Sequence, residues 1–180
     1  MSESPPNAEI RVRAGDGAAP RAEGVLPVTV VLDRLRSAHN VGNIFRLVEA
    51  VRGEGIVACG YTAMPPHPKL AKTARGCDEL VPCRHAETAA EAVRALQAAG
   101  RRVYSVETVE GAEPVWDVRF AFPCALVLGN EALGVSPEAL ALCDGHLCLP
   151  ALGVKNSINV GNCAAVALFA VLRQWLEAQG

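Results

Sequence analysis

Three short polar segments carry the residue types that could do chemistry in this chain. Residues 40–46, 129–136 and 149–160 combine glycines with Asn, Ser, Arg or Glu side chains. Each follows an apolar run that is typical of a buried strand. Polar loops at the ends of strands are where open α/β sheets form ligand sites. We therefore expect the three segments to form one active site that is distributed along the chain.

The common phosphate-binding and metal-binding motifs are absent from the sequence. Residues 129–134 have the glycine spacing of a P-loop, but Val135 stands where that motif needs a lysine. The four histidines form no HExxH pattern, and the seven cysteines contain no CxxC pair. We predict no metal site, and we predict that the cysteines are reduced thiols, several of them in the core.

Length and composition describe the framework that must position these segments. The 180 residues suffice for one domain with a buried core. Hydrophobic residues make up 51% of the chain and aromatic residues only 4%, which suits parallel strands covered by helices. We assign residues 27–180 to this domain and interpret residues 1–26, a mixture of Pro, Gly, Ala and charged residues, as a flexible tail.

Strands and helices alternate along the predicted domain. Apolar runs predict strands at residues 28–32, 55–59, 102–106, 124–128 and 146–149. Periodicity and capping residues predict helices at 40–52, 88–100, from 136 onward and 158–177. This alternation predicts an α/β fold with a mostly parallel sheet flanked by helices. Two roles are open for Ala164, Leu168 and Trp175 on the last helix, packing in the core or forming a dimer seam.

Charge and hydropathy limit the partners of the protein. The net charge of −2 provides no overall basic field for nucleic acid, although local patches count for more than the sum. The longest apolar stretch, residues 160–172, is shorter than the roughly 18 residues that a membrane span needs. We therefore expect a soluble, cytoplasmic protein without a membrane partner.

The three polar segments resemble the three motifs of the SpoU (TrmH-type) RNA 2′-O-ribose methyltransferases of the SPOUT superfamily. The matching residues are Asn40, Gly42 and Arg46, then 128–131 with Gly134 and Ser136, then Pro150, Gly153 and 157–160. They stand in the order of the family over residues 28–176. The resemblance implies an α/β fold with a C-terminal trefoil knot, a homodimer, and S-adenosylmethionine held by the loops of the second and third motifs.

The resemblance also implies roles for individual residues. The implied catalytic residues are Asn40, Arg46, Glu131, Ser157 and Asn159, and the implied cofactor-binding residues are Val106, Thr108, Leu128, Gly129, Leu149, Leu152, Ser157 and Ile158. Because arginine stays protonated, we expect Arg46 to bind the phosphate beside the reacting ribose and to stabilise the developing alkoxide. A glycine at position 129 would let the backbone approach the cofactor closely.

Structural roles are open for the same residues. Arg46 fits an ordinary solvated position on a helix. Glu131 fits a carboxylate that stabilises a helix start near Ser136. Ser157 and Asn159 fit caps of the last helix.

Five basic residues are candidates for binding an RNA backbone, namely Arg34, Arg36, Lys69, Lys72 and Arg75. The alternative is that they form a solvated surface. We expect tRNA as the substrate, because no RNA-binding domain is recognisable beside the catalytic segments, and rRNA is the alternative. A catalytically inactive RNA-binding protein and a methyltransferase for a small molecule or a protein are the other open functions.

Overall fold

The computed structural model describes residues 24–155 and 157–179. The first strand begins at Leu26, the last residue of the predicted tail. Residues 1–23 of that tail lie outside the described residues.

The described part of the chain contains seven strands and six helices. The strands are β1 (Leu26–Asp33), β2 (Gly53–Cys59), β3 (Cys83–Ala86), β4 (Arg102–Val106), β5 (Glu113–Pro114), β6 (Cys124–Leu128) and β7 (Gly145–Cys148). The helices are α1 (Ala38–Ala50), α2 (Pro68–Ala74), α3 (Cys77–Leu80), α4 (Ala89–Ala98), α5 (Pro137–Leu140) and α6 (Val160–Glu177). Strands and helices alternate as predicted except that two helices, α2 and α3, and three strands, β4 to β6, follow one another directly.

The strands form one sheet in the order β3-β2-β1-β6-β4-β7-β5, and every neighbouring pair is parallel. All five residues of the central strand β6 are buried, as expected for a parallel strand that is covered on both faces. The predicted α/β fold with a sheet flanked by helices is therefore confirmed. The trefoil knot stays a prediction from the family resemblance.

Helices cover both faces of the sheet and enclose two apolar cores. On one face, α1 and α6 pack on the sheet through residues such as Phe45 and Leu168. On the other face, α4 and α5 contribute Val93 and Ala139. Ala164 and Leu168 have no exposed surface, so both belong to the core of this chain. Trp175 is partly buried against the same core.

Capping residues explain where the longer helices begin. The side-chain oxygen of Thr88 accepts the backbone N–H of Glu91 at 3.1 Å and caps α4. Asn159 caps α6 by accepting the N–H of Gly161 at 2.9 Å, so the helix begins at Val160, two residues later than predicted. The short elements β3, β5 and α3 were not predicted, because two to four residues are too few to show a period.

Three further observations concern the cysteines, metal-binding groups and membrane-spanning helices. The seven cysteines are free, and burial raises the pKa of Cys59 and of Cys124 to about 12. No group of three or more His, Cys, Asp or Glu side chains in the described ranges could hold a metal ion. Within the same ranges, no helix has the length and apolar character needed to cross a bilayer.

Candidate active site at the carboxyl edge of the sheet

A cavity of ≈ 420 Å³ opens where β4, β6 and β7 end and α6 begins. Seven of the eight predicted cofactor-binding residues line it: Val106, Thr108, Leu128, Gly129, Leu149, Ser157 and Ile158. The exception is Leu152, whose side chain is 99% exposed and is not part of the cavity wall. Its exposure follows from its position in a loop that has no neighbouring element to pack against. The second and third motifs thus meet at one cavity, as the sequence predicts.

The loop of residues 129–136 is closed tightly by its own backbone. Asn130 and Gly134 exchange two backbone hydrogen bonds, of 3.0 and 2.8 Å. A Cβ on Gly129 would lie 2.8 Å from the carbonyl oxygen of Gly134 and closer still to the backbone nitrogen of Val135. Glycine is therefore required here by the loop itself, whereas the sequence interpretation attributed it to the approach of the cofactor.

Two side chains that the sequence analysis missed fix this loop to the rest of the sheet. Asn130 donates its side-chain amide to the carbonyl oxygen of Arg34 at 2.6 Å and to the hydroxyl of Tyr61 at 2.8 Å. Asp33, which is 1% exposed, accepts the backbone N–H of Ser136 at 2.7 Å. The loop is therefore anchored at both ends to residues at the carboxyl ends of β1 and β2.

Glu131 binds the start of α1. Its carboxylate accepts the backbone N–H groups of Arg36 at 2.9 Å and of Ser37 at 3.1 Å, and the side-chain amide of Asn40 at 2.9 Å. Partial burial acts to raise the pKa of Glu131, but these hydrogen bonds outweigh it and hold the pKa below its ordinary value. Of its two predicted roles, Glu131 does lie at a helix start, but at α1 and not at the helix beside Ser136.

Asn159 joins the first and third motifs. Its side-chain amide donates to the side-chain oxygen of Asn40 at 3.2 Å, while its own oxygen caps α6. Asn40, Glu131 and Asn159 therefore form a continuous hydrogen-bonded group, which we call the polar cluster. Ser157 is exposed on the wall of the same cavity. Asn159 thus has the capping role that was open for it and also lies on the cavity wall, while its catalytic role stays a prediction.

Three of the five predicted catalytic residues line the cavity, namely Glu131, Ser157 and Asn159. Asn40 lies outside the wall but is hydrogen-bonded to Glu131 and Asn159. Arg46 also lies outside the wall. It is exposed on α1, six residues after Asn40, which corresponds to roughly 9 Å along the helix axis. Helical side chains lean towards the N-terminal end of their helix. The side chain of Arg46 therefore lies towards the turn of α1 that precedes it, which contains Gly42 and Asn43.

The five predicted RNA-binding cations lie beside the start of α1. Arg36, Lys69, Lys72 and Arg75 are exposed, whereas Arg34 is half-buried and donates its Nε to Asp33 at 3.0 Å. Helix α2, which carries the two lysines, touches α1 through a hydrogen bond of 2.8 Å between Thr73 and His39. These cations therefore flank the polar cluster.

Glu107 is a further residue of the cavity that the sequence analysis missed. Its carboxylate accepts the N–H of Thr108 at 2.9 Å and the N–H of Val135 at 3.0 Å. Glu107 and Glu131 are the charged members of the described cavity wall, and both are acidic. S-adenosylmethionine carries a positively charged sulfur and an ammonium group, so this wall fits that cofactor. The sequence did contain a signal for Glu107, because this charged residue directly follows the predicted strand at 102–106.

Comparisons with known proteins test the resemblance that the three motifs indicate. The sequence model of the SpoU rRNA methylase family matches residues 27–169. The tRNA (guanosine(18)-2′-O)-methyltransferase of Thermus thermophilus is 36% identical over 152 residues, which cover 84% of this chain and 77% of that protein. The 23S rRNA (uridine(2479)-2′-O)-methyltransferase of Streptomyces viridochromogenes is 31% identical over 154 residues, which cover 83% of this chain and 54% of that protein.

A solved structure has the same fold. The SpoU methyltransferase AviRb from Streptomyces viridochromogenes, in complex with the cofactor AdoMet, aligns with a TM-score of 0.74 and 29% identity. The alignment covers 82% of this chain and 57% of AviRb, so the chain spans little more than half the length of the two Streptomyces proteins. The resemblance predicted from the three motifs is confirmed, and this chain belongs to the SpoU methylase family.

Proposed function

We propose that this chain transfers the methyl group of S-adenosylmethionine to a ribose 2′-hydroxyl of tRNA. The reaction class is that of the family: the chain is an S-adenosylmethionine-dependent RNA 2′-O-methyltransferase, as the sequence predicts. The choice of tRNA is the further step. It is supported by the Thermus thermophilus relative, which acts on tRNA and of which this chain spans 77%.

The observation that carries the proposal is the meeting of the second and third motifs at one cavity, to which Asn40 of the first motif is joined by hydrogen bonds with Glu131 and Asn159. Leu128, Leu149 and Ile158 place backbone polar groups and apolar side chains at the wall, where they suit the adenosine part of the cofactor. The two acidic side chains of the wall suit its positive groups. When bound, S-adenosylmethionine supplies a methyl group that is already activated by its positively charged sulfur.

The residues of the chain then have to position the ribose hydroxyl and handle the charge that develops on it. The Glu131 carboxylate already accepts three hydrogen bonds, so it orients Asn40 and the start of α1. A guanidinium is a donor only, so the hydroxyl proton passes to solvent, and Arg46 stabilises the negative oxygen and the adjacent phosphate. The cations beside α1 hold the RNA backbone across this site.

The Arg46→Ala variant tests this assignment against an Arg94→Ala control on α4, which covers the opposite face of the sheet. S-adenosylmethionine affinity is measured by calorimetry, and transfer of a labelled methyl group is measured on unmodified tRNA and on rRNA fragments. We expect Arg46→Ala to keep the affinity and to lose about 100-fold or more in transfer rate. Full activity of Arg46→Ala would remove its catalytic role.

The same assays separate the rival functions. A wild-type protein that binds RNA but not S-adenosylmethionine would be the catalytically inactive RNA-binding protein. Methylation of rRNA fragments alone would contradict the tRNA proposal and leave the reaction class intact. A tRNA substrate fits the cytoplasmic location that the sequence predicts.

A homodimer is also part of the proposal. Val166, Phe169 and Leu176 are 42%, 51% and 41% exposed on one side of α6, because spacings of three and seven residues return to the same face of a helix. Exposed apolar side chains in a row are typical of a protein interface. A second copy of this chain, packed on α6, would cover them. The buried Ala164 and Leu168 are not part of this face.

A further inference from the structure

Tyr61 presents an aromatic ring beside the active site that the proposed chemistry does not use. Its side chain is 61% exposed and lies just after β2, at the carboxyl edge of the sheet. Trp116 and Phe169 are also exposed, but Phe169 lies on the apolar side of α6. Trp116 follows β5, five strands away from β2, which is roughly 24 Å across the sheet.

The ring of Tyr61 is held in place. Its hydroxyl accepts the side-chain amide of Asn130 at 2.8 Å, and the same amide donates to the carbonyl oxygen of Arg34 at 2.6 Å. Because Asn130 also lines the cavity, the ring lies one hydrogen bond away from the cavity wall. A large apolar surface that is fixed by a bond at its far end loses little conformational freedom when a ligand packs on it.

The surroundings of the ring suit a nucleobase. Arg34 lies beside it, because the carbonyl oxygen of Arg34 accepts the same Asn130 amide, and Arg36 follows two residues later in the segment after β1. These two cations suit the phosphate chain that a nucleobase carries with it. Aromatic side chains combined with cations are the means by which proteins bind unpaired nucleotides, because every base can stack on a ring. A base inside a duplex has both of its faces covered and cannot do so.

We propose that Tyr61 stacks on an unpaired base of the RNA next to the methylated nucleotide, and that the enzyme therefore selects target riboses in single-stranded loops. This inference rests on the proposed function and adds the form of the substrate to it. The hydrogen bond to Asn130 aligns the ring with the loop that carries Glu131. Stacking thereby sets the position of the reacting ribose as well as the affinity for RNA.

The test compares a labelled RNA hairpin with a fully paired RNA duplex of the same length, in the presence of S-adenosylmethionine. Binding is measured by fluorescence anisotropy for the wild-type protein and for Tyr61→Leu, Tyr61→Phe and Trp116→Leu. Loss of one stacked base corresponds to about 5- to 150-fold weaker binding. We expect the affinity of Tyr61→Leu for the hairpin to fall by this factor and its affinity for the duplex to stay unchanged. Tyr61→Phe and Trp116→Leu should keep the preference for the hairpin.

Two controls separate this inference from the proposed function. Calorimetry with S-adenosylmethionine and the melting temperature should agree between Tyr61→Leu and Tyr61→Phe, because both variants lack the hydroxyl that accepts from Asn130 and only Tyr61→Leu lacks the ring. If the wild-type enzyme methylates RNA and Tyr61→Leu binds the hairpin as tightly as the wild type, the role of Tyr61 is overturned and the proposed function stands. A wild-type protein that neither binds nor methylates RNA overturns the inference together with the proposed function.

Discussion

The Gly129→Ala substitution adds one methyl group at a point where the loop backbone leaves no room. The new Cβ would lie 2.8 Å from the carbonyl oxygen of Gly134, and nearer still to the nitrogen of Val135. Ordinary contacts of a Cβ begin at about 3.4 Å, so the loop has to move. It is closed by two backbone hydrogen bonds between Asn130 and Gly134, and both have to lengthen or break.

The cost can be worked out from these contacts. Overpacking a close site costs typically 1–3 kcal/mol, and each lost hydrogen bond costs about 1 kcal/mol. Together they destabilise the protein by about 3–5 kcal/mol. For a domain of this size, 1 kcal/mol shifts the melting temperature by roughly 2–4 °C. We therefore expect Gly129→Ala to melt about 6–20 °C below the wild type, and to bind S-adenosylmethionine at least about 10-fold more weakly, because the displaced loop forms the cavity wall.

Thermal unfolding followed by circular dichroism and calorimetry with S-adenosylmethionine measure both effects. Gly153→Ala is the matched control, because it changes a motif glycine where a Cβ would meet no heavy atom within 4 Å. Its stability should stay within about 0.5 kcal/mol of the wild type. The reasoning is refuted if Gly129→Ala melts and binds the cofactor like Gly153→Ala.

Three further predictions follow from other contacts. The pKa of Glu131 is lowered in the folded protein, so its stabilisation is present above the ordinary value of 4.5 and is lost as the pH falls through the lowered value. In urea unfolding, the free energy of unfolding of Glu131→Gln should therefore be about 1 kcal/mol below that of the wild type at pH 7, and the difference should be smaller at pH 3. An equal difference at both pH values would contradict this. Phe169→Asp should sediment as a monomer, whereas the control Leu80→Asp, which changes another exposed apolar residue, should sediment as a dimer like the wild type. If both variants sediment as dimers, the α6 interface is excluded. Glu107→Gln should weaken S-adenosylmethionine binding about 2- to 10-fold in calorimetry, whereas the exposed Glu110→Gln should not, and equal affinities would show that Glu107 does not act on the cavity.

Local patterns predicted the longer elements well, because each of them carries its own signal. The apolar runs at 102–106 and 124–128 coincide with β4 and β6, and Thr88 caps α4 as its sequence indicates. The order of the strands could not be predicted in this way. Strand β6 lies between β1 and β4, and such pairing depends on packing across the whole domain, which no local window contains.

The site was predicted through its motifs. The parts of the site that were not predicted correctly depend, like the order of the strands, on packing between residues that are distant in the sequence. Side chains that line the cavity directly, such as Leu128 and Ile158, belong to the motifs. Leu152 also lies within a motif, yet its loop turns the side chain to solvent. Asp33 and Glu107 act through backbone N–H groups that lie 103 and 28 residues away, so the sequence around each of them gives no indication of the contact.

The polar cluster also determines when a growing chain can become active. Its hydrogen bonds join residues that are 91 and 119 positions apart, and the last of them, Asn159, opens the final helix. On the ribosome, where domains emerge from the N-terminus, the early strands can pair long before this residue is available. A nascent chain that ends before α6 therefore has its cations exposed but lacks a completed methyl-donor pocket, and it becomes competent for methylation only after Asn159 has emerged.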